Sequence, residues 1–138
     1  MAPALSDAFT VHGASYVRPA IIPIKADKTF AKMDDFTWQG IELWCVETAG
    51  NSPGSLSYIT KKEGEWIAFT GDVMLQGSKQ HTWIDTEWDY GFSKGIYALY
   101  NSLGQLEGYP LKKMLPSHGP IIENPLPQLQ ALRNTLRE

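Results

Sequence analysis

Hydrophobic and polar positions follow their clearest pattern between residues 36 and 70. Ile41-Glu42-Leu43-Trp44-Cys45-Val46-Glu47 is the strongest strand signal. β-Formers on both faces near its middle suit a central strand covered on both sides. Ser55 to Thr60 and Trp66 to Thr70 read as two more strands. Lys61-Lys62-Glu63-Gly64-Glu65 joins them, a polar connection with one glycine that suits a hairpin. Asp27 to Ala31 and Phe36 to Trp38 are shorter strand-like runs, with Lys32 to Asp35 and Gln39-Gly40 as turns. Ala20 to Lys25 is apolar, but Pro23 confines it to a sheet edge or an extended segment.

Beyond residue 70 the period changes. Gly71 to Thr86 has none and is expected to be a long loop. Ile96, Leu99, Tyr100 and Leu103 mark one face of a helix beginning near Ser93, weakened by Gly95 and Gly104 and closed by Gly108 and Pro110. Lys112 to Leu115 is a brief strand entering a Pro116–Gly119 turn. Asn124-Pro125 has the form of an N-cap followed by proline at the first helical position. Leu129, Leu132 and Leu136 then stripe a terminal helix. Residues 1–18 show no sustained period and are read as a lead-in open to disorder, with the folded part over 19–138. Strands, helix, strand, helix, with no internal repeat, predict an α/β (α+β) layer.

Composition narrows the function classes. A chain of 138 residues with 43% hydrophobic content is one globular domain by length. A net charge of -3 without a Lys/Arg cluster argues against a nucleic-acid partner. No apolar run approaches the roughly 18 residues of a membrane span. The Met1–Asp7 start lacks the basic and apolar regions of a secretory signal. Cys45 is the single cysteine, so no internal disulfide or thiolate metal cluster can form within one chain, and it reads as a small buried hydrophobe. A cytoplasmic setting is compatible with these features. Trp83, Trp88 and Tyr90 sit in loop-like sequence, where aromatic rings either wall a cleft or cover a core edge.

Two residues stand out chemically. Asp72 follows an apolar strand and adjoins Gly71, either a ligand position at a strand end or a loop cap. His118 lies in a Pro-Ser-His-Gly turn, either as a metal ligand or bonded to local backbone. Asn51 is a turn residue by type and a poor zinc donor. His12 and His81 stand in no ligand spacing. Ser52, Ser55 and Ser57 lie in turn chemistry without a G-x-S-x-G elbow, and no nucleotide-binding glycine pattern occurs.

Taken in order, Thr48-Ala49-Gly50-Asn51-Ser52-Pro53-Gly54-Ser55-Leu56, Phe69-Thr70-Gly71-Asp72 and Leu115-Pro116-Ser117-His118-Gly119 resemble the second half of the metallo-β-lactamase fold. The family reads T-P-G-H-[ST]-x-G-S at the first segment, T-G-D at the second and a P-x-H-G-like turn at the third. The resemblance runs from about Lys25 to the C-terminus and includes Phe36-x-Trp38-x-Gly40-Ile41. It implies half of an αββα sandwich, one mixed sheet with helices on its outer face. It also implies a zinc centre in which Asp72 bridges two metal ions and His118 binds the second. Asn51 replaces the family's ligand histidine, Ala49 its proline, and the H-x-H-x-D-H motif that supplies most ligands is absent.

Two expectations follow. The chain is a partial or degenerate metallo-β-lactamase-like hydrolase domain, with an incomplete metal site, inactive by itself and with no catalytic residue assigned. The alternative is an active metal-dependent hydrolase whose H-x-H-x-D-H half comes from a further N-terminal region or a partner chain. A half-sandwich also leaves one sheet face without cover, supplied by Trp44, Val46, Leu56, Tyr58, Ile67 and Phe69 in one parity or the other. Exposing such side chains costs about 1.5–3 kcal/mol each, against a total stability of ~5–15 kcal/mol. The expected partner is a second copy in a homodimer, or a complementary N-terminal half.

Overall fold

The computed structural model describes residues 25, 27–30, 34–50, 54–80 and 95–137. The chain divides into two units, Met1–Phe30 and Ala31–Glu138. In the first, residues 27–30 form a bend and irregular chain, not the expected strand. Asp27-Lys28-Thr29-Phe30 has a single large apolar side chain, too little to form a buried face. Lys28 Nζ instead lies 5.0 Å over the Phe30 ring.

The second unit runs β1 (Asp35–Trp38), β2 (Ile41–Glu47), β3 (Leu56–Lys62), β4 (Glu65–Gly71), α1 (Gly95–Glu107), β5 (Leu111–Pro116), β6 (Ile122–Glu123) and α2 (Leu126–Thr135). The strands form one mixed six-stranded sheet in chain order. Neighbours are antiparallel except β4 and β5, which are parallel. The connection holding α1 makes that one crossover, since parallel neighbours need a long return. Asp35, expected in a turn, opens β1 opposite Trp44.

The β1–β2 and β3–β4 hairpins each close on two residues. Trp38 pairs with Ile41 and Lys62 with Glu65. Gln39-Gly40 (φ 49 and 81) and Glu63-Gly64 (φ 51 and 82) both have positive φ, the mark of type I′ turns. The β3–β4 connection is therefore shorter than expected, because Lys61, Lys62 and Glu65 all join the ladder.

Register sorts the side chains onto two faces. Trp44, Val46, Ile59, Trp66, Ala68, Met114 and Ile122 share the face that packs on Leu99, Leu103 and Leu106 of α1 and Leu129 and Leu132 of α2. The opposite face carries Leu43, Leu56, Tyr58, Ile67, Phe69 and Leu115. β2 is internal in the order but is not covered on both sides along its length. Cys45 and Val46 are buried, whereas Ile41 is 46% exposed.

The buried side of α1 is Gly95, Ala98, Leu99, Ser102, Leu103 and Leu106, turned from the expected stripe so that Ile96 and Tyr100 are only half-buried. Small residues decide this rotation, because they let the helix approach β2 closely. Ser102 Oγ donates to Ala49 O at 2.6 Å, and a Cβ on Gly50 would lie 3.0 Å from Leu99 Cβ. α2 begins differently from expectation. Pro125 is its N-cap, and Asn124 takes a left-handed φ of 46 while donating its N–H to Lys112 O at 2.8 Å. Asparagine tolerates that conformation. Among the described residues no helix is long and apolar enough to cross a membrane.

The loop after β4 is anchored over its first nine residues, 72–80. Val73 and Met74 enter the core, Leu75 bridges Lys79, and Gly77 N–H donates to Gln128 Oε1 of α2 at 2.7 Å. The rest of the expected loop, with His81 and Trp83, lies outside the described residues, as do Trp88, Tyr90 and His12.

Candidate functional site

Strand direction gathers the three sequence segments at one end of the sheet. β2 and β4 are both antiparallel to β3, and β5 is parallel to β4. The C-terminal ends of β2, β4 and β5 therefore lie on the same side, with β4 about 10 Å from β2 across one intervening strand. The loop between β2 and β3 leaves from this end, closed at its base by Thr48 N–H donating to Ser55 O at 2.9 Å. Asn51 belongs to that loop and itself lies outside the described residues.

Asp72 and His118 meet here, although 46 residues separate them. Gly71 (φ 55) pairs with Pro116, and Ser117 N–H donates to Gly71 O at 2.9 Å, which locks the two strand ends together. His118 Nδ1 then lies 2.7 Å from Asp72 Oδ1. A carboxylate only accepts, so Nδ1 carries the proton. Ser117 Oγ donates to the same Oδ1 at 2.5 Å and lies 3.3 Å from His118 Nδ1. The Asp72 side chain is 22% exposed and that of His118 63% exposed, so the imidazole faces outward from a largely enclosed carboxylate.

Sequence reasoning missed two neighbours of this pair. Ser117 binds Asp72 directly, and only its place beside His118 hinted at it. Thr70, two residues before Asp72, is 1% exposed, and its Oγ1 has no hydrogen-bond partner. Nearby polar groups fare better: Thr48 Oγ1 and Ser57 Oγ, both buried, bond each other at 2.8 Å.

The donor set decides what the site can hold. A catalytic zinc takes three protein ligands plus water. Among the described residues no group of three His, Cys, Asp or Glu could hold a metal ion. With Nδ1 donating to Asp72, His118 presents the Nε2 lone pair as its one ligating atom, so the pair Asp72 and His118 offers two donor residues, short of the three a catalytic zinc takes. The described residues by themselves do not fit a zinc ion.

No family model matches this sequence, and no curated protein matches it. Solved structures do. A metallo-β-lactamase family protein from Thermus thermophilus superposes with a TM-score of 0.65 at 15% identity, over 88% of this chain and 37% of that one. The BLEG-1 B3 metallo-β-lactamase gives 0.65 at 24% identity, over 99% of this chain and 59% of its own. A β-lactamase domain protein from Burkholderia ambifaria gives 0.66 at 19% identity, over 82% and 32%. This chain has the metallo-β-lactamase fold. It spans between about a third and three-fifths of the length of these neighbours. Within the metallo-β-lactamase fold, one mixed sheet with both described helices on one face is the part seen here.

Proposed function

We propose that this chain is a metallo-β-lactamase-fold domain that carries two ligand positions of a hydrolase centre, Asp72 and His118, and does not turn over substrate by itself. The observation that carries this reading is their meeting at 2.7 Å, at the ends of two adjacent parallel strands, as a pair of donor residues with no third His, Cys, Asp or Glu beside them among the described residues. Asp72 and Ser117 tie β4 to the turn after β5, and in this reading the cluster is structural in the isolated chain.

Zinc content measured after dialysis against a weak chelator tests it, together with hydrolysis of a chromogenic β-lactam and a generic ester. The expected result is well under one zinc per chain and no turnover. One zinc per chain with turnover overturns the proposal. Asn51→His adds a third donor at the position that the family resemblance assigns to a ligand. Zinc affinity, measured by competition with a chromogenic chelator, is expected to rise at least tenfold in that variant.

A second reading is favoured by the span of the match, 32–59% of the neighbours' lengths in the three structures above. In it the remaining donors come from polypeptide beyond these 138 residues, and the completed centre is an active metal-dependent hydrolase. Adding a separately produced H-x-H-x-D-H half and recovering both zinc binding and hydrolysis supports it; recovery of neither excludes it.

A further inference from the structure

α1 buries its small residues against the sheet and turns larger ones away from it. Near its N-terminal end Ile96 and Tyr100 are half-buried, and Tyr97 is 63% exposed. Leu136, the C-cap of α2, and Arg137 just beyond it complete a groove with these three side chains. The groove holds about 500 Å³, within the range of small-molecule sites. A protein partner needs a footprint of about 20–30 residues a side, so a concavity lined by these few residues is of small-molecule size.

Charge selects the kind of ligand. Arg133 and Arg137 both lie against the Tyr100 ring, their guanidinium carbons 4.4 and 5.9 Å from its centroid. Glu107 balances Arg133, whose Nη1 lies 3.2 Å from Oε2 of that carboxylate. Among the described residues Arg137 enters no ion pair. One unbalanced positive charge therefore stands at the edge of an aromatic and aliphatic wall.

We infer that this groove binds a small aromatic monocarboxylate, its carboxylate on Arg137 and its ring against Tyr97 and Tyr100. A guanidinium presents two parallel N–H donors to a carboxylate, a charge-assisted match stronger than a neutral hydrogen bond. A ring packed offset or edge-on against tyrosine gains contact beyond what its burial alone gives. Ile96 and Leu136 supply the aliphatic part of the wall. A single unbalanced cation matches a monoanion better than a phosphate dianion. A cation just past a helix C-cap also complements the helix dipole, a role that needs no ligand, so the test reads binding and not stability. The inference is independent of the reading of Asp72 and His118, neither of which lines the groove.

Titration of the isotope-labelled 138-residue chain with phenylpropionate, followed by amide chemical shifts, tests the site. The expected response saturates with a Kd on the order of 1 mM and is confined to the amides around Ile96–Tyr100 and Leu136–Arg137. Replacing the probe by neutral phenylpropanol, or the protein by Arg137→Gln, is expected to weaken binding roughly fivefold or more. Tyr97→Ala is expected to weaken it roughly threefold. Lys112→Gln, which removes an exposed cation on β5, is expected to bind as the parent does. The dispersion of the amide spectrum shows that each variant is folded. No saturation up to about 20 mM probe, a response elsewhere in the chain, equal affinity for the alcohol, or unchanged binding by Arg137→Gln each overturns the proposal. A shift of the same amides on dilution without probe also overturns it, because a second copy would then occupy the groove.

Discussion

At the scale of single residues, the site end of the sheet combines one oxygen that accepts two hydrogen bonds with one that has no partner. Asp72 Oδ1 accepts from both Ser117 Oγ and His118 Nδ1, whereas Thr70 Oγ1 is buried without a partner. Desolvating a hydroxyl with no compensating bond costs about 1–3 kcal/mol. Thr70→Val keeps the β-branched shape and removes the orphan, so urea denaturation is expected to show it equal to the parent or up to about 1 kcal/mol more stable. A loss above 1 kcal/mol would mean that Thr70 Oγ1 has a partner after all. Asp72→Ala removes the acceptor of two hydrogen bonds and is expected to lower stability by about 1–3 kcal/mol, with the same loss in chelator-treated protein. Loss only in the presence of zinc would contradict a metal-independent clamp. Asp72 and His118 stood out in sequence through the family resemblance of their segments; the flanking glycine and proline turns alone left each open between a ligand and a local turn residue. Ser117 and Thr70 did not stand out, because their roles depend on which strand ends stand side by side.

At the scale of elements, the contact between α1 and α2 depends on a glycine. The Arg133 guanidinium occupies the space above Gly104, where a Cβ would meet its Cζ at 2.8 Å. From there Arg133 reaches Glu107 Oε2 at 3.2 Å and stacks 4.4 Å over the Tyr100 ring. Gly104 costs roughly 1 kcal/mol of helix propensity relative to Ala, and the arginine pocket offsets that cost. Gly104→Ala is therefore expected to be neutral or destabilising in the parent but stabilising by about 1 kcal/mol in an Arg133→Ala background. Equal effects in both backgrounds, measured by a double-mutant cycle, would show that the two residues are not coupled. The pattern of apolar residues located both helices and every strand of the second unit except the two-residue β6. It misjudged which stripe of α1 is buried, because periodicity weighs large side chains, whereas the close approach to Ala49 and Gly50 selected Gly95, Ala98 and Ser102. It also placed the α2 cap at Asn124, whose backbone is committed to Lys112.

At the scale of the molecule, helices cover one face of the sheet and leave Trp38, Ile41 and Phe69 substantially exposed on the other, where Cys45 and Thr60 are buried between them. The sequence alone listed the right apolar residues but not their parity: register assigns Trp44 and Val46 to the helix side and Leu56, Tyr58, Ile67 and Phe69 to the opposite side. If a second copy covers part of that side, the expectation drawn from sequence, stability becomes a function of protein concentration, because unfolding then also separates the chains. Each tenfold rise in concentration adds about 1.4 kcal/mol to the free energy of unfolding the dimer. With a folded unit of this size that corresponds to a rise in Tm of roughly 3–6 °C per decade. Calorimetry between micromolar and hundred-micromolar chain would then show that rise in the parent and a flat, lower Tm in Phe69→Glu. A parent Tm independent of concentration over that range would show that the described sheet and helices are stable without a second copy.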